Sequence, residues 1–162
     1  MKDNFMLKQL PIGVQTFESL VKGEYLYIDK TKHIFDLLKP KAPKYFLSRP
    51  RRFGKSLLIS TLDAIFKAKK DLFKGLWIES SDYNWEKFPV VRIDFSRIPT
   101  KNPEKLKEGL VHTITRIAQE YDIKLEKLNF KTQFEELIFQ LARINKVVIL
   151  IDEYDKALVD NI

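Results

Sequence analysis

Two spacings of apolar residues alternate along this chain. Val147–Ile151 is an unbroken aliphatic run that closes on Asp152 and Glu153, and a run so short and rich in β-branched residues predicts a fully buried parallel strand. Val90–Phe95 predicts a second such strand, Tyr45–Ser48 a core strand leading into a basic loop, and Tyr25–Ile28 is strand-like. Elsewhere the spacing is helical. Thr16 caps a short helix through Val21 that ends at Gly23, and Asp29 caps a helix carrying Ile34, Phe35, Leu37 and Leu38 that Pro40 and Pro43 end. Lys55–Ala68 places Leu58, Thr61, Leu62, Ile65 and Phe66 at helical spacing. Asn102 and Pro103 open a helix with a stripe of Leu106, Leu110, Ile114, Ile117 and Tyr121. Thr132 and Glu135 form a capping box for one with Phe134, Leu137, Ile138 and Leu141. Strands alternating with helices, without repeats or a low-complexity linker, predict an α/β fold.

The chemistry concentrates where the pattern breaks. Tyr45–Ser56 reads YFLSRPRRFGKS, a short apolar run, a basic loop and then Gly54, Lys55 and Ser56. Backbone N–H groups of such a loop wrap phosphates, the lysine reaches the β- and γ-phosphates of a nucleotide, and the serine hydroxyl serves Mg²⁺. A helix beginning at Lys55 adds its positive end. Three of the seven arginines, Arg49, Arg51 and Arg52, lie within four residues ahead of it. The general phosphate-loop pattern has glycine where Arg49 stands, so the loop is a variant. The strand ending in Asp152 and Glu153 supplies the other half: a Walker B aspartate to hold Mg²⁺ through water, and a glutamate to orient and deprotonate an attacking water.

Composition narrows the partners. Residues 1–70 carry 15 Lys and Arg against 6 Asp and Glu, whereas residues 71–162 carry 14 against 16, so the whole positive excess lies in the first part. That is an electropositive surface for ATP or a nucleic-acid backbone, or a set of solvated lysine faces. Cysteine is absent, which excludes disulfides and cysteine-based zinc sites. The longest apolar run has five residues, far short of a membrane span, and the N-terminus lacks the apolar stretch of a signal peptide. A cytoplasmic protein without a membrane partner is expected. His33 and His112 are isolated and lack metal-ligand spacing. Asp94 ends a predicted strand and reads either as a ligand-edge acid or as a loop cap.

LPIGVQTFESL, YLYIDKT at Tyr25–Thr31, FLSRPRRFGKS, LFKGLWI at Leu72–Ile78, PVVRIDFS at Pro89–Ser96 and LIDEYDK at Leu150–Lys156 together resemble the AAA-ATPase-like family. These are bacterial and archaeal proteins whose N-terminal P-loop domain is usually followed by a predicted PD-(D/E)XK nuclease-like region. In that family the arginine-proline loop is ordinary; Ala157 stands where proline is expected. The resemblance implies Mg-ATP binding, with Lys55 and Ser56 in the phosphate and Mg²⁺ roles and Asp152 and Glu153 in the Walker B roles. Nucleotide contacts are expected from Arg51, Arg52, Phe53, Gly54, Lys55, Ser56 and Leu57, where Arg51 and Arg52 read either as phosphate contacts or as electrostatic background; Ser56 and Asp152 are expected at the metal, with Lys55 and Glu153 catalytic. Asp29, Lys30 and Thr31 stand where related ATPases often contact adenine; a plain helix cap is the other reading. The expected fold is an α/β P-loop three-layer sandwich with a mainly parallel sheet, left incomplete by further strands that follow Walker B. Residues 1–162 are then the N-terminal part of an ATPase domain, with 1–44 a lead-in and 45–162 a core. Hydrolysis is expected of the full-length protein rather than of this chain alone. A homo-oligomer, nucleic acid and a C-terminal nuclease-like region are the further partners envisaged. The alternative is a nucleotide-responsive or DNA-associated module with little turnover.

Overall fold

The computed structural model describes residues 8–39, 44–50, 52–126 and 129–156. The chain divides into two compact units, Met1–Glu86 and Lys87–Ile162.

The first unit is helical. Its elements are α1 (Phe17–Lys22), α2 (Thr31–Leu38), α3 (Lys55–Phe66) and two 3₁₀ turns, Lys70–Phe73 and Trp77–Ser80. Thr16 caps α1 by accepting from the Ser19 N–H, as expected. The predicted N-cap of α2 moves by one residue: Lys30 occupies the cap, and Asp29 serves the helix from one position earlier by accepting from the N–H and the hydroxyl of Thr31. Pro40 and Pro43 lie outside the described residues. The α3 helix ends at Phe66, two residues sooner than its apolar spacing suggests, because Ala68 adopts a left-handed φ of 53°. Its core face joins a mixed aliphatic and aromatic cluster in which Phe17, Ile34, Ala64, Ile65, Phe73 and Ile78 are buried. Phe17 lies 4.7 Å from Phe73 and 5.1 Å from Tyr27 between ring centroids, and its N–H donates to Ser60 Oγ at 2.9 Å.

Two predicted strands of this unit do not form. Tyr25–Ile28 and Tyr45–Ser48 are irregular. Lys44–Pro50 is exposed throughout. A strand leaves every N–H and C=O to be satisfied by a neighbour, and the described sheet contains two strands, neither of them here.

The second unit contains those two strands. β1 (Val90–Asp94) and β2 (Val148–Asp152) pair in parallel with Val90 opposite Val148 and Asp94 opposite Asp152. Parallel strands need a crossover, supplied here by a 3₁₀ turn (Phe95–Arg97), α4 (Pro103–Glu120) and α5 (Phe130–Ala142). Val91 and Ile93 join Ile114, Ile117, Ala118, Leu137 and Leu141 in one buried cluster. Asn102 and Pro103 start α4 as predicted, with Asn102 accepting from Glu104 and Lys105. The capping box at Thr132 and Glu135 does not form. Asn129 accepts from the Thr132 N–H and starts α5 at Phe130, three residues earlier, so that Phe130 stacks on Phe134 at 6.0 Å. Asparagine is the stronger N-cap, and the early start adds an aromatic pair. The result is a mixed α/β protein with a short parallel sheet. Among the described residues no helix is long and apolar enough to cross a membrane.

Candidate functional site

In the first unit Arg52–Gly54 lead into α3, whose first residues are Lys55, Ser56 and Leu57. Arg51 lies outside the described residues. Arg52 has φ 68° and Gly54 φ 75°, while Phe53 between them keeps a negative φ and exposes 64% of its surface. Alternating handedness is the backbone requirement of a nest, in which successive N–H groups face one concavity that suits an anion. Gly54 is the N-cap of α3, and nothing lies within 4 Å of where a Cβ would project. Backbone handedness rather than lack of space therefore makes glycine the fitting residue there. The first intrahelical bond runs from the Leu58 N–H to the Gly54 carbonyl at 2.9 Å. The N–H groups of Lys55, Ser56 and Leu57 consequently have no partner within the helix and stand at its positive end. Lys55 folds back on the loop: its Nζ donates to the carbonyls of Arg49 at 2.7 Å and Pro50 at 3.3 Å. An ammonium held only by exposed carbonyls can be transferred to a phosphate oxygen, which accepts a stronger, charge-assisted bond.

In the second unit, Asp152 ends β2. Its residue is 4% exposed, and its Oδ1 accepts from the Glu153 N–H at 3.1 Å. Glu153 is partly exposed and turns the chain with φ 52°. The adjoining strand ends level with it at Asp94, whose Oδ1 accepts from the N–H and hydroxyl of Ser96 at 2.9 and 2.6 Å and whose Oδ2 pairs with Arg97 Nε at 3.2 Å. Asp94 thus has the loop-capping role that sequence offered as one of two readings.

Left-handed backbone marks both motifs. Five described residues other than glycine have positive φ: Glu24, Arg52, Ala68, Asp122 and Glu153. Three of them end helices in the same way. After α1, α3 and α4 the N–H of the left-handed residue bonds to the carbonyl three before it, and the following N–H bonds to a carbonyl five before it, as in Glu24 to Val21 and Tyr25 to Leu20. That is the Schellman pattern, in which the strained residue satisfies orphan carbonyls. Arg52 and Glu153 end no helix. They stand in the phosphate-type loop and directly after the buried aspartate, where strain of ~1–3 kcal/mol is typically stored by functional sites. Neither arginine nor glutamate advertises a left-handed backbone, so this feature could not be read from sequence.

Other candidates have structural work. Asp29 accepts from Thr31 and also from the Trp77 N–H at 2.7 Å, tying α2 to the second 3₁₀ turn. Burial pushes its carboxyl up, but the donors Trp77 and Thr31 outweigh burial and hold it below the usual aspartate range. His33 and His112 are exposed. Among the described residues no three His, Cys, Asp or Glu side chains gather as a metal cage.

A relative in Azotobacter chroococcum mcd 1, described as an uncharacterized protein in the vnfD 5' region, is 38% identical over 159 residues. The match covers 96% of this chain and 30% of that protein. No solved structure matches the chain significantly. The family model for AAA-ATPase-like proteins, described as predicted AAA-ATPase, matches residues 11–162. The chain thus belongs to the AAA-ATPase-like family.

Proposed function

We propose that this chain binds Mg-ATP and that the full-length protein hydrolyses it. The observation carrying the proposal is the loop at 52–57, where a left-handed arginine and glycine precede a helix whose first three N–H groups lack intrahelical partners. Nests of this kind at helix N-termini hold phosphates. Each unit also offers an oxygen of the kind Mg²⁺ takes: among the described residues the Ser56 hydroxyl makes no hydrogen bond, and one carboxylate oxygen of Asp152 makes none. Mg²⁺ usually takes one or two protein oxygens and completes its shell with phosphate and water. When bound, the ion would neutralise charge on the phosphates.

The protein's own groups then divide the work. The loop N–H groups and Lys55 Nζ hold phosphate oxygens, with Arg51 and Arg52 adding positive charge. Asp152 fixes the Glu153 N–H through Oδ1 and would hold the metal through water. Glu153 accepts a proton from water and aligns it for in-line attack on the terminal phosphate. Half-exposed Ile149 and Ile151 on the two-stranded sheet support a larger P-loop sandwich, with residues 1–162 as part of it. Because the chain spans 30% of the length of its relative, what the ATP drives belongs to the whole protein.

Steady-state phosphate release by the full-length protein tests hydrolysis. Glu153→Gln should keep ATP affinity and lower turnover by roughly 10²- to 10⁴-fold. Unchanged turnover would remove Glu153 from the mechanism. ATP affinity without any turnover in the wild type would make the protein a nucleotide-responsive binding module.

A further inference from the structure

Two sequence stretches, Asp94–Ser96 after β1 and Tyr154–Lys156 after β2, have no role in the scheme above, yet a side chain joins them. Lys156 Nζ donates to the Ser96 carbonyl at 3.1 Å. Ser96 is itself fixed from the other side, since Asp94 Oδ1 accepts from both its N–H and its hydroxyl. At the other end of the link, the Lys156 N–H donates to the Glu153 carbonyl at 3.0 Å, closing the turn in which Glu153 holds φ 52°. The strands carrying these turns end level with each other, Asp94 opposite Asp152.

We propose that Lys156 is a positioning residue for Glu153: through Ser96 and Asp94 it anchors the left-handed turn after β2 to the end of β1 and so fixes where the Glu153 carboxylate points. The proposal rests on the ATPase reading only for its effect on turnover. A left-handed glutamate relaxes toward ordinary backbone unless its surroundings hold it. The Glu153 N–H is held by Asp152 and the Glu153 carbonyl by Lys156. The first of these bonds starts from the strand; the second depends on where Lys156 is held. A lysine donating to a backbone carbonyl supplies that hold without neutralising either neighbouring carboxylate. It also explains why a cation stands three residues beyond Glu153.

Two measurements on the full-length protein test this. In amide hydrogen exchange, Lys156→Met should speed exchange of the Lys156 N–H by roughly tenfold while leaving the amides of β2 unchanged. Unchanged exchange at Lys156 overturns the proposal whatever the protein does with nucleotide. In phosphate release, Lys156→Met should lower kcat by roughly 10- to 100-fold with an unaltered KM for ATP. Lys156→Arg, which can still donate to Ser96, should keep most of the turnover. In a Glu153→Gln background Lys156→Met should cost nothing further, because the lysine acts through the glutamate. Wild-type kcat in Lys156→Met, or losses that add in full, would overturn the positioning role. If the wild type does not turn over ATP, the ATPase reading fails, and the exchange measurement decides the anchor by itself.

Discussion

The two units of this protein follow their sequence pattern to different extents. In the second, the predicted order of strand, helix, helix and strand is present, with β1 and β2 in register over five residues. In the first, the three helices form while Tyr25–Ile28 and Tyr45–Ser48 do not become strands. The difference lies in where backbone hydrogen bonds come from. A helix satisfies its own interior groups, so local spacing and a cap suffice. A strand's partner lies elsewhere in the chain, and no local pattern guarantees it. The first unit is accordingly held by side chains: a mixed aliphatic and aromatic cluster, the Asp29 link to Trp77 and the ion pairs of Glu18 with Lys22 and Lys69.

Two leucines from predicted strands put that contrast to its largest test. Leu150 is 7% exposed and Leu47 is 41% exposed. Leu150→Ala should cost ~2–5 kcal/mol in denaturant unfolding, and Leu47→Ala within about 0.5 kcal/mol of zero. Equal costs would mean that Tyr45–Ser48 packs as a strand after all.

Helices should behave alike in both units. Ala68 after α3 and Asp122 after α4 occupy the same left-handed position, so Ala68→Gly and Asp122→Gly should each raise stability by roughly 0.5–1 kcal/mol. Destabilisation by either change would contradict the cap geometry.

The smallest effect concerns the side-chain links of the first unit. Hydrogen bonds from Lys22 and then Lys69 hold the Glu18 carboxyl at about 2, against an ordinary 4.5. A folded value below the unfolded one stabilises above pH 4.5, and that contribution disappears as pH falls from 4.5 toward 2. The side chain is 38% exposed, so solvent screening limits the gain to ~0.5 kcal/mol. Glu18→Gln should flatten the acid limb of the stability curve by that amount. An acid limb identical to wild type would show that the two lysines do not hold Glu18 in solution.

The backbone settings of Gly54 and Asp152 were legible in the sequence because their signals are local, whereas the strand expected ahead of the loop at Tyr45–Ser48 does not form. Gly54 at a helix start and five aliphatics before Asp152 each announce a backbone geometry through residue type, and both elements form where expected. The Asn102 cap was legible for the same reason. But β2 is not buried on both faces as its aliphatic run predicts: Ile149 and Ile151 are about half exposed because no further strand or helix covers that face among the described residues. The Asn129 cap does not stand out in the sequence because Thr132 and Glu135 offer a competing one three residues on; the stronger capping by asparagine and the packing of Phe130 against Phe134 decide between them. The left-handed turns at Arg52 and Glu153, and the bond from Lys156 to Ser96 across sixty residues, depend on tertiary context that neither composition nor spacing encodes.

The central claim is that Lys55 and the loop around it hold nucleotide phosphate. Calorimetric titration of the full-length protein with ATP and Mg²⁺ tests it directly, comparing wild type with Lys55→Ala. Loss of a charge-assisted bond to phosphate should weaken binding by roughly 10- to 100-fold. Equal affinity in the two proteins would contradict the account.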